Sequence, residues 1–219
     1  VVVPHPKYLL PYDGIPTELA CTYACAGLTA YGALKKLMPL EDDEWLLTIG
    51  AGGVGLSGVH IAPALTGARL VVADVDPEKR AIARQAGAHE TVDNADPDAV
   101  AKVKELSQGG IKAAIDFVGA PATARFALDC MRKGGTLIVV GLYGGALSFP
   151  LPFFPQRALT VRGSYVGTVG ELAELIALGQ EGRIPPIPLD LRPLDAAPQA
   201  MADLRAGHVK GRVILKPAA

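Results

Sequence analysis

The sequence lacks the features that would tie it to an oxidising compartment, a membrane or a nucleic acid. Its three cysteines are odd in number and too few to frame a fold in disulfides, which points to a reducing compartment, the cytoplasm. Its longest uninterrupted apolar runs are only strand-sized, so none is suited to cross a bilayer. No secretory leader is visible. Neither sign of charge predominates: 21 Lys and Arg face 22 Asp and Glu, for a net charge of −1. That balance offers no footprint for nucleic acid or anionic lipid. There is no repeat of solenoid period and no low-complexity tract. An initiator methionine is also missing: the chain opens on Val1-Val2-Val3, which reads as strand and as the middle of a longer polypeptide.

What is present is enough for a large core, since half of the 219 residues are hydrophobic and a fifth are charged. After a Pro- and Tyr-rich connector, residues 17–37 carry a helical pattern with Thr17 as N-cap and Glu18 in the first turn. The acidic run Glu41-Asp42-Asp43-Glu44 reads as a solvated turn. Short apolar strands then alternate with helices. Strands are expected at 45–49, 69–73, 90–92, 113–118, 136–140 and 160–164, and helices at about 53–65, 77–86, 97–107 and 121–132. Pro77 opens one of these helices and Asp96-Pro97 caps another. This alternation implies an α/β fold with a doubly wound parallel sheet, covered on both faces. With a glycine-rich first turn, the expected strand order is 3-2-1-4-5-6. The tail is expected to hold a helix at 169–178, a Pro-rich stretch at 184–193, a helix at 195–205 and a strand at 212–216.

Gly50-x-Gly52-x-x-Gly55 is a weak motif in a chain with 25 glycines, but here it follows a strand and opens a helix. Gly50 permits the tight turn, Gly52 lets backbone approach a pyrophosphate, and Gly55 lets helix and strand pack closely. The helix N-terminus, with Gly53 and Val54, then faces the phosphates with free N–H groups. The second strand ends on Asp74, 24 residues after Gly50. A carboxylate there accepts hydrogen bonds from a ribose diol, worth about 1.5–3 kcal/mol, and repels a 2′-phosphate. NAD is therefore expected over NADP. Asp76 competes with Asp74 for this role, although Asp-Pro is also a common helix start.

Two other readings of such a loop can be set aside. A methyltransferase commonly has a shorter glycine loop, and a short-chain dehydrogenase needs its Tyr-x-x-x-Lys downstream of the glycines, whereas Tyr31 and Lys35 lie upstream.

The run Cys-Thr-Tyr-Ala-Cys-Ala-Gly-Leu-Thr-Ala-Tyr-Gly from Cys21 to Gly32 resembles the helix that enters the cofactor domain of zinc-dependent medium-chain alcohol dehydrogenases. The resemblance continues in order through the glycine loop, Lys133-Gly134-Gly135-Thr136, Val140-Gly141, Arg162-Gly163-Ser164-Tyr165-Val166-Gly167, and the closing Gly207 to Val213. It implies a Rossmann-type NAD-binding domain over 17–184. The end of a β-rich catalytic domain would occupy 1–16, and a segment returning to that domain 185–219.

The same resemblance implies that Cys25 ligates a catalytic zinc. Thr29 and Val54 would line the nicotinamide, and backbone near Val140, Leu142, Ser164 and Val166 would hold its carboxamide. Val118 would also touch the cofactor, Lys79 the adenosine ribose and Arg212 the pyrophosphate. Buried filler competes with the ligand reading for Cys25, a helix-surface hydroxyl for Thr29, and an ordinary strand-start charge for Arg212. Cys21 and Cys130 are expected to be core, and His60 a packed or partly exposed imidazole. His5, His89 and His208 sit in loops without metal spacing.

The implied activity is hydride transfer between an alcohol and NAD, with an aldehyde or ketone as the oxidised partner, in a homo-oligomer (dimer or tetramer). Zinc takes three protein ligands in such sites, and this sequence supplies one, so the chain alone is expected to bind cofactor without turnover. The alternatives are a zinc-free quinone or enoyl reductase of the same superfamily and a non-catalytic nucleotide-binding module.

Overall fold

In a computed structural model that describes residues 2–217, the alternating pattern becomes a six-stranded parallel sheet in the order 3-2-1-4-5-6. A first helix, α1 (Thr17–Thr22), runs through a widened π turn (Tyr23–Gly27) into α2 (Leu28–Lys35). The sheet units follow: β1 (Trp45–Ile49), α3 (Gly53–Leu65), β2 (Arg69–Ala73), α4 (Pro77–Gln85) and β3 (Glu90–Val92). After α5 (Ala99–Leu106) come β4 (Ile111–Asp116), α6 (Pro121–Cys130), β5 (Met131–Val139), a short α7 (Phe153–Arg157), β6 (Thr160–Gly163) and α8 (Val169–Gln180). Beyond α8, β7 (Leu189–Pro193) pairs in parallel with β8 (Arg212–Lys216), and α9 (Ala197–Arg205) connects them.

Because strand side chains alternate in direction, the central strands feed two cores. Leu46, Leu70, Val72, Ala113 and Ile115 join one with α2, α3 and α8. Leu47, Ile49, Val71, Ala73 and Ala114 join the other with α5 and α6. Each fully buried Leu or Ile contributes about 1.5–3 kcal/mol. Together these rows hold the C-terminal ends of β1 and β4 side by side, and the chain reverses its winding between those two strands.

Several expectations fail for local physical reasons. Val2 and Val3 are not in a strand, and Val1 lies outside the described residues. Thr17 is the first helical residue rather than the cap; Pro16 precedes it, and no side chain caps the helix. Asp96 caps a turn by accepting the Asp98 N–H, and α5 starts later, at Ala99. Strand β4 stops at Asp116 instead of Val118, because the Asp116 carboxylate accepts the N–H groups of Val118 and Gly119, both at 2.9 Å, and turns the chain. Strand β5 begins five residues early, with an irregular register, while α6 ends at Cys130. Glu44 is not part of a solvated turn. It is buried beneath the sheet, where Arg132 (2.6 Å) and Lys112 (3.0 Å) pair with it. The strand β7 was hidden by its prolines.

Candidate functional site

The loop from β1 to α3 is built around two glycines for which no other residue would serve. Gly50 holds φ +90°, and a Cβ there would meet Val118 Cγ2 at 2.7 Å. A Cβ on Gly55 would lie 1.8 Å from the Gly50 carbonyl oxygen, so the helix can approach its own loop only without one. The first bond of the α3 ladder runs from the Leu56 N–H to the Gly52 oxygen, and no side chain caps the helix. The N–H groups of Gly53, Val54 and Gly55 therefore precede the ladder without a capping side chain, at the positive end of the helix dipole. A Cβ on Gly52 would meet nothing within 4 Å: the loop faces open space.

That space is a cavity of about 330 Å³, lined by Gly50, Gly52, Gly53, Val54, Gly55, Asp74, Lys79, Phe117 and Val118. It sits outside the carboxyl ends of β1, β2 and β4, at the reversal of strand order, where open α/β sheets bind ligands. Asp74 is buried on its far side. One carboxylate oxygen accepts the Ala51 N–H at 2.7 Å and the other the Asp76 N–H at 2.9 Å. The same carboxylate thus fixes the loop and keeps lone pairs for a ligand hydroxyl, since each oxygen has two. Asp76, by contrast, caps α4, accepting the N–H groups of Glu78 and Lys79.

Other expected residues lie outside this cavity. Val140 and Leu142 follow β5, with Leu142 fully out in solvent, and Ser164 follows β6 with its hydroxyl buried and unpaired among the described residues. Val166 adopts φ +48°, a strained conformation for a β-branched residue, and residues so held cluster at ligand sites. Its carbonyl is packed against Gly32 of α2, where a Cβ would come within 2.8 Å. These ends therefore lie along the same carboxyl edge of the sheet, beyond β4.

Cys25 sits within the π turn, where the Leu28 N–H reaches back to the Tyr23 oxygen. The widened turn leaves Ala24 and Cys25 exposed while Ala26 and Gly27 stay buried. Such turns recur at functional sites. Cys21 is exposed too, contrary to expectation, with its thiol donating to the Glu18 oxygen. Cys130 is core as expected, and burial pushes its thiol up to about 12. Thr29 is half-buried on α2. Arg212 reaches the glycine loop: a Cβ on Gly53 would meet its Cδ at 2.5 Å. No group of three or more His, Cys, Asp or Glu able to hold a metal exists among the described residues, so Cys25 does not complete a zinc site within them. The Tyr31 hydroxyl and the Lys35 ammonium both bond Glu174 of α8, at 2.6 and 2.9 Å. They tether helices and do not form a catalytic pair.

Sequence reasoning missed three contributors. Phe117 lines the cavity. Asp116, fully buried, shapes the 117–119 turn and also accepts the Thr123 hydroxyl at 2.8 Å. Its signal, an acid ending an apolar strand before Phe-Val-Gly, was present. Lys210 pairs with α4 from 134 residues away, and nothing local announces that contact.

A family profile described as "Zinc-binding dehydrogenase" matches residues 53–181. An NAD-dependent alcohol dehydrogenase of Sulfurisphaera tokodaii is 30% identical over 99% of this chain and 63% of its own length. The crystal structure of the alcohol dehydrogenase of Aeropyrum pernix superposes with a TM-score of 0.86 at 36% identity, over 95% of this chain and 61% of that one. An acetophenone reductase of Geotrichum candidum, solved in complex with NAD, gives 0.82 at 28% identity, over 93% and 57%. The chain thus spans less than two thirds of the length of these proteins.

Proposed function

The chain belongs to the zinc-binding dehydrogenase family, and on that premise we propose that it is the NAD-binding portion of a zinc-dependent alcohol dehydrogenase. The observation that carries this reading is the uncapped α3 N-terminus facing a cavity closed on its far side by Asp74. The residues fit a dinucleotide: Gly52 leaves room for a phosphate, the α3 N–H groups face it, Asp74 suits the ribose diol, and Arg212 and Lys79 supply positive charge. When bound, NAD would accept or return the hydride. The chain's own work is to hold and orient the dinucleotide, with Thr29 and Val54 beside the nicotinamide. Backbone at Val140, Leu142, Ser164 and Val166 would hold its carboxamide, with Val118 between the two ends.

Cys25 is assigned as one zinc ligand. The described residues do not complete the site, so no step is routed through the metal. The substrate pair would be an alcohol and its aldehyde or ketone, and the 219-residue chain alone would bind cofactor without turning over alcohols. Three free thiols suit a cytoplasmic setting, and no helix among the described residues is long and apolar enough to cross a membrane. The exposed edge of β6, beside exposed Leu142, Tyr143, Leu151 and Phe153, supports a dimer or a tetramer built from it. A zinc-free reductase preferring NADPH is disfavoured, because Asp74 puts a buried acid where a 2′-phosphate would lie.

The test is a fluorescence titration with NADH and NADPH. Preference for NADH should be at least about tenfold, near 1.4 kcal/mol, and Asp74→Ser should narrow it. Equal affinities in the unmodified protein would overturn the assignment.

A further inference from the structure

The loop 206–211, between α9 and β8, crosses from one end of the dinucleotide cavity to the other. At its C-terminal side Arg212 lies on Gly53 of the glycine loop. Two residues earlier, Lys210 reaches the opposite end, with its ammonium 2.7 Å from Glu78 Oε2 and 3.3 Å from Asp76 Oδ2. Asp76 caps α4 with its other oxygen and donates its N–H to Asp74, whose carboxylate in turn holds the Ala51 N–H. A continuous polar chain therefore links Lys210 to both the acid and the loop that border the cavity. Gly211, at φ +77°, turns the strand between the two contacts, and the Arg212 N–H donates to the Pro188 oxygen at 3.0 Å.

We propose that Lys210 is a positioning residue for the dinucleotide: it latches this loop to α4 and so fixes Arg212 over the glycine loop. The proposal rests on reading the cavity as a dinucleotide site. Both pairs are open to solvent, with Glu78 exposed and Lys210 and Asp76 half-buried, and pairs of that kind contribute modestly to global stability. The local effect of the latch is different in kind, since a loop held at both ends loses its freedom before the ligand arrives and the guanidinium need not be ordered on binding. Lys79 pairs with the same Asp76 oxygen, at 3.9 Å, so the latch and the cavity wall share that acid.

Calorimetric titration of the full chain with NADH, ADP-ribose and AMP separates the possibilities, because AMP lacks the pyrophosphate. Lys210→Ala is expected to weaken NADH and ADP-ribose about tenfold and AMP by less than about twofold, and Lys210→Arg should restore most of the loss. Glu78→Gln, at an exposed position, should reproduce part of the effect without touching the core. In an Arg212→Gln background, adding Lys210→Ala should cost less than about twofold more, as expected of two residues acting through one contact. Equal losses for AMP and ADP-ribose, or additive losses in the double variant, would overturn the latch while leaving the nucleotide reading intact. An unmodified chain that binds none of the three ligands would remove both.

Discussion

His60, on α3, is 6% exposed, and neither ring nitrogen has a hydrogen-bond partner among the described residues. It faces Thr22 of α1, Tyr23 and Gly27 of the π turn, Ser57 of its own helix, and Ile184, Pro185 and Ile187. Burial holds its pKa below the ordinary imidazole value of 6.5. The unfolded chain takes up a proton near that ordinary value and the folded chain resists it. Unfolding therefore binds protons in the window below pH 6.5, and stability falls as the solution is acidified. The loss grows with acidification to at most about 1.4 kcal/mol by pH 5.5, the limit for an imidazole that takes up no proton in the folded chain. For a chain of this size that is a fall of roughly 3–6 °C in Tm. His60→Leu removes the titrating group and its two orphaned nitrogens. It should leave stability at pH 7.5 equal or better and flatten the decline between pH 6.5 and 5.5. Urea unfolding of both proteins at half-unit pH steps gives the comparison. Parallel pH profiles for the two would refute the reasoning, because they would show that His60 titrates alike in the folded and unfolded chains.

Gly55→Ala places a methyl 1.8 Å from the Gly50 oxygen. It should cost about 1–3 kcal/mol in denaturant unfolding and abolish NADH binding, and a variant retaining both would contradict the packing described. Glu44→Gln leaves Arg132 and Lys112 without their buried anion and should cost about 1–3 kcal/mol, readable as a lower urea midpoint; an unchanged midpoint would show the network to be neutral. Light scattering should give a mass of at least twice 22.7 kDa, and Val161→Lys on the β6 edge should halve it; a monomer at micromolar concentration would remove the edge-pairing idea.

Much of the sheet was legible because strands such as Trp45–Ile49 and Arg69–Ala73 are compact apolar runs buried on both faces, and because glycine and proline punctuate the helices between them. The glycine loop and Asp74 were legible for a related reason: both lie within one β-α-β unit, where spacing along the chain fixes position in space, whereas Lys79 was placed by resemblance. What escaped notice depends on distant partners. The π turn at Cys25 is set by packing against α3 and α8, and a continuous helical pattern does not reveal it. The role of Glu44 depends on Arg132, 88 residues later, and the latch of Lys210 depends on Asp76 and Glu78. Strand β7 was masked by prolines, which an unpaired edge tolerates. Leu142 and Val166 were placed by resemblance alone, and no local pattern marks either.

The reversal of strand order between β1 and β4 also governs how the chain is made. As the polypeptide emerges, the sheet first grows outward through β2 to β3, on one side of β1. At that stage the glycine loop, α3 and Asp74 already exist, yet the wall formed by Phe117 and Val118 has not been synthesised. The other flank of β1 is then an open strand edge, rich in Leu and Ile, waiting for a segment more than sixty residues downstream. Nascent chains halted in that interval would have the phosphate loop without a cleft and an edge prone to pair with other chains. Docking of β4 covers that edge of β1 and supplies the missing wall of the cleft in a single event, while the open edge passes outward to β4 until β5 pairs with it.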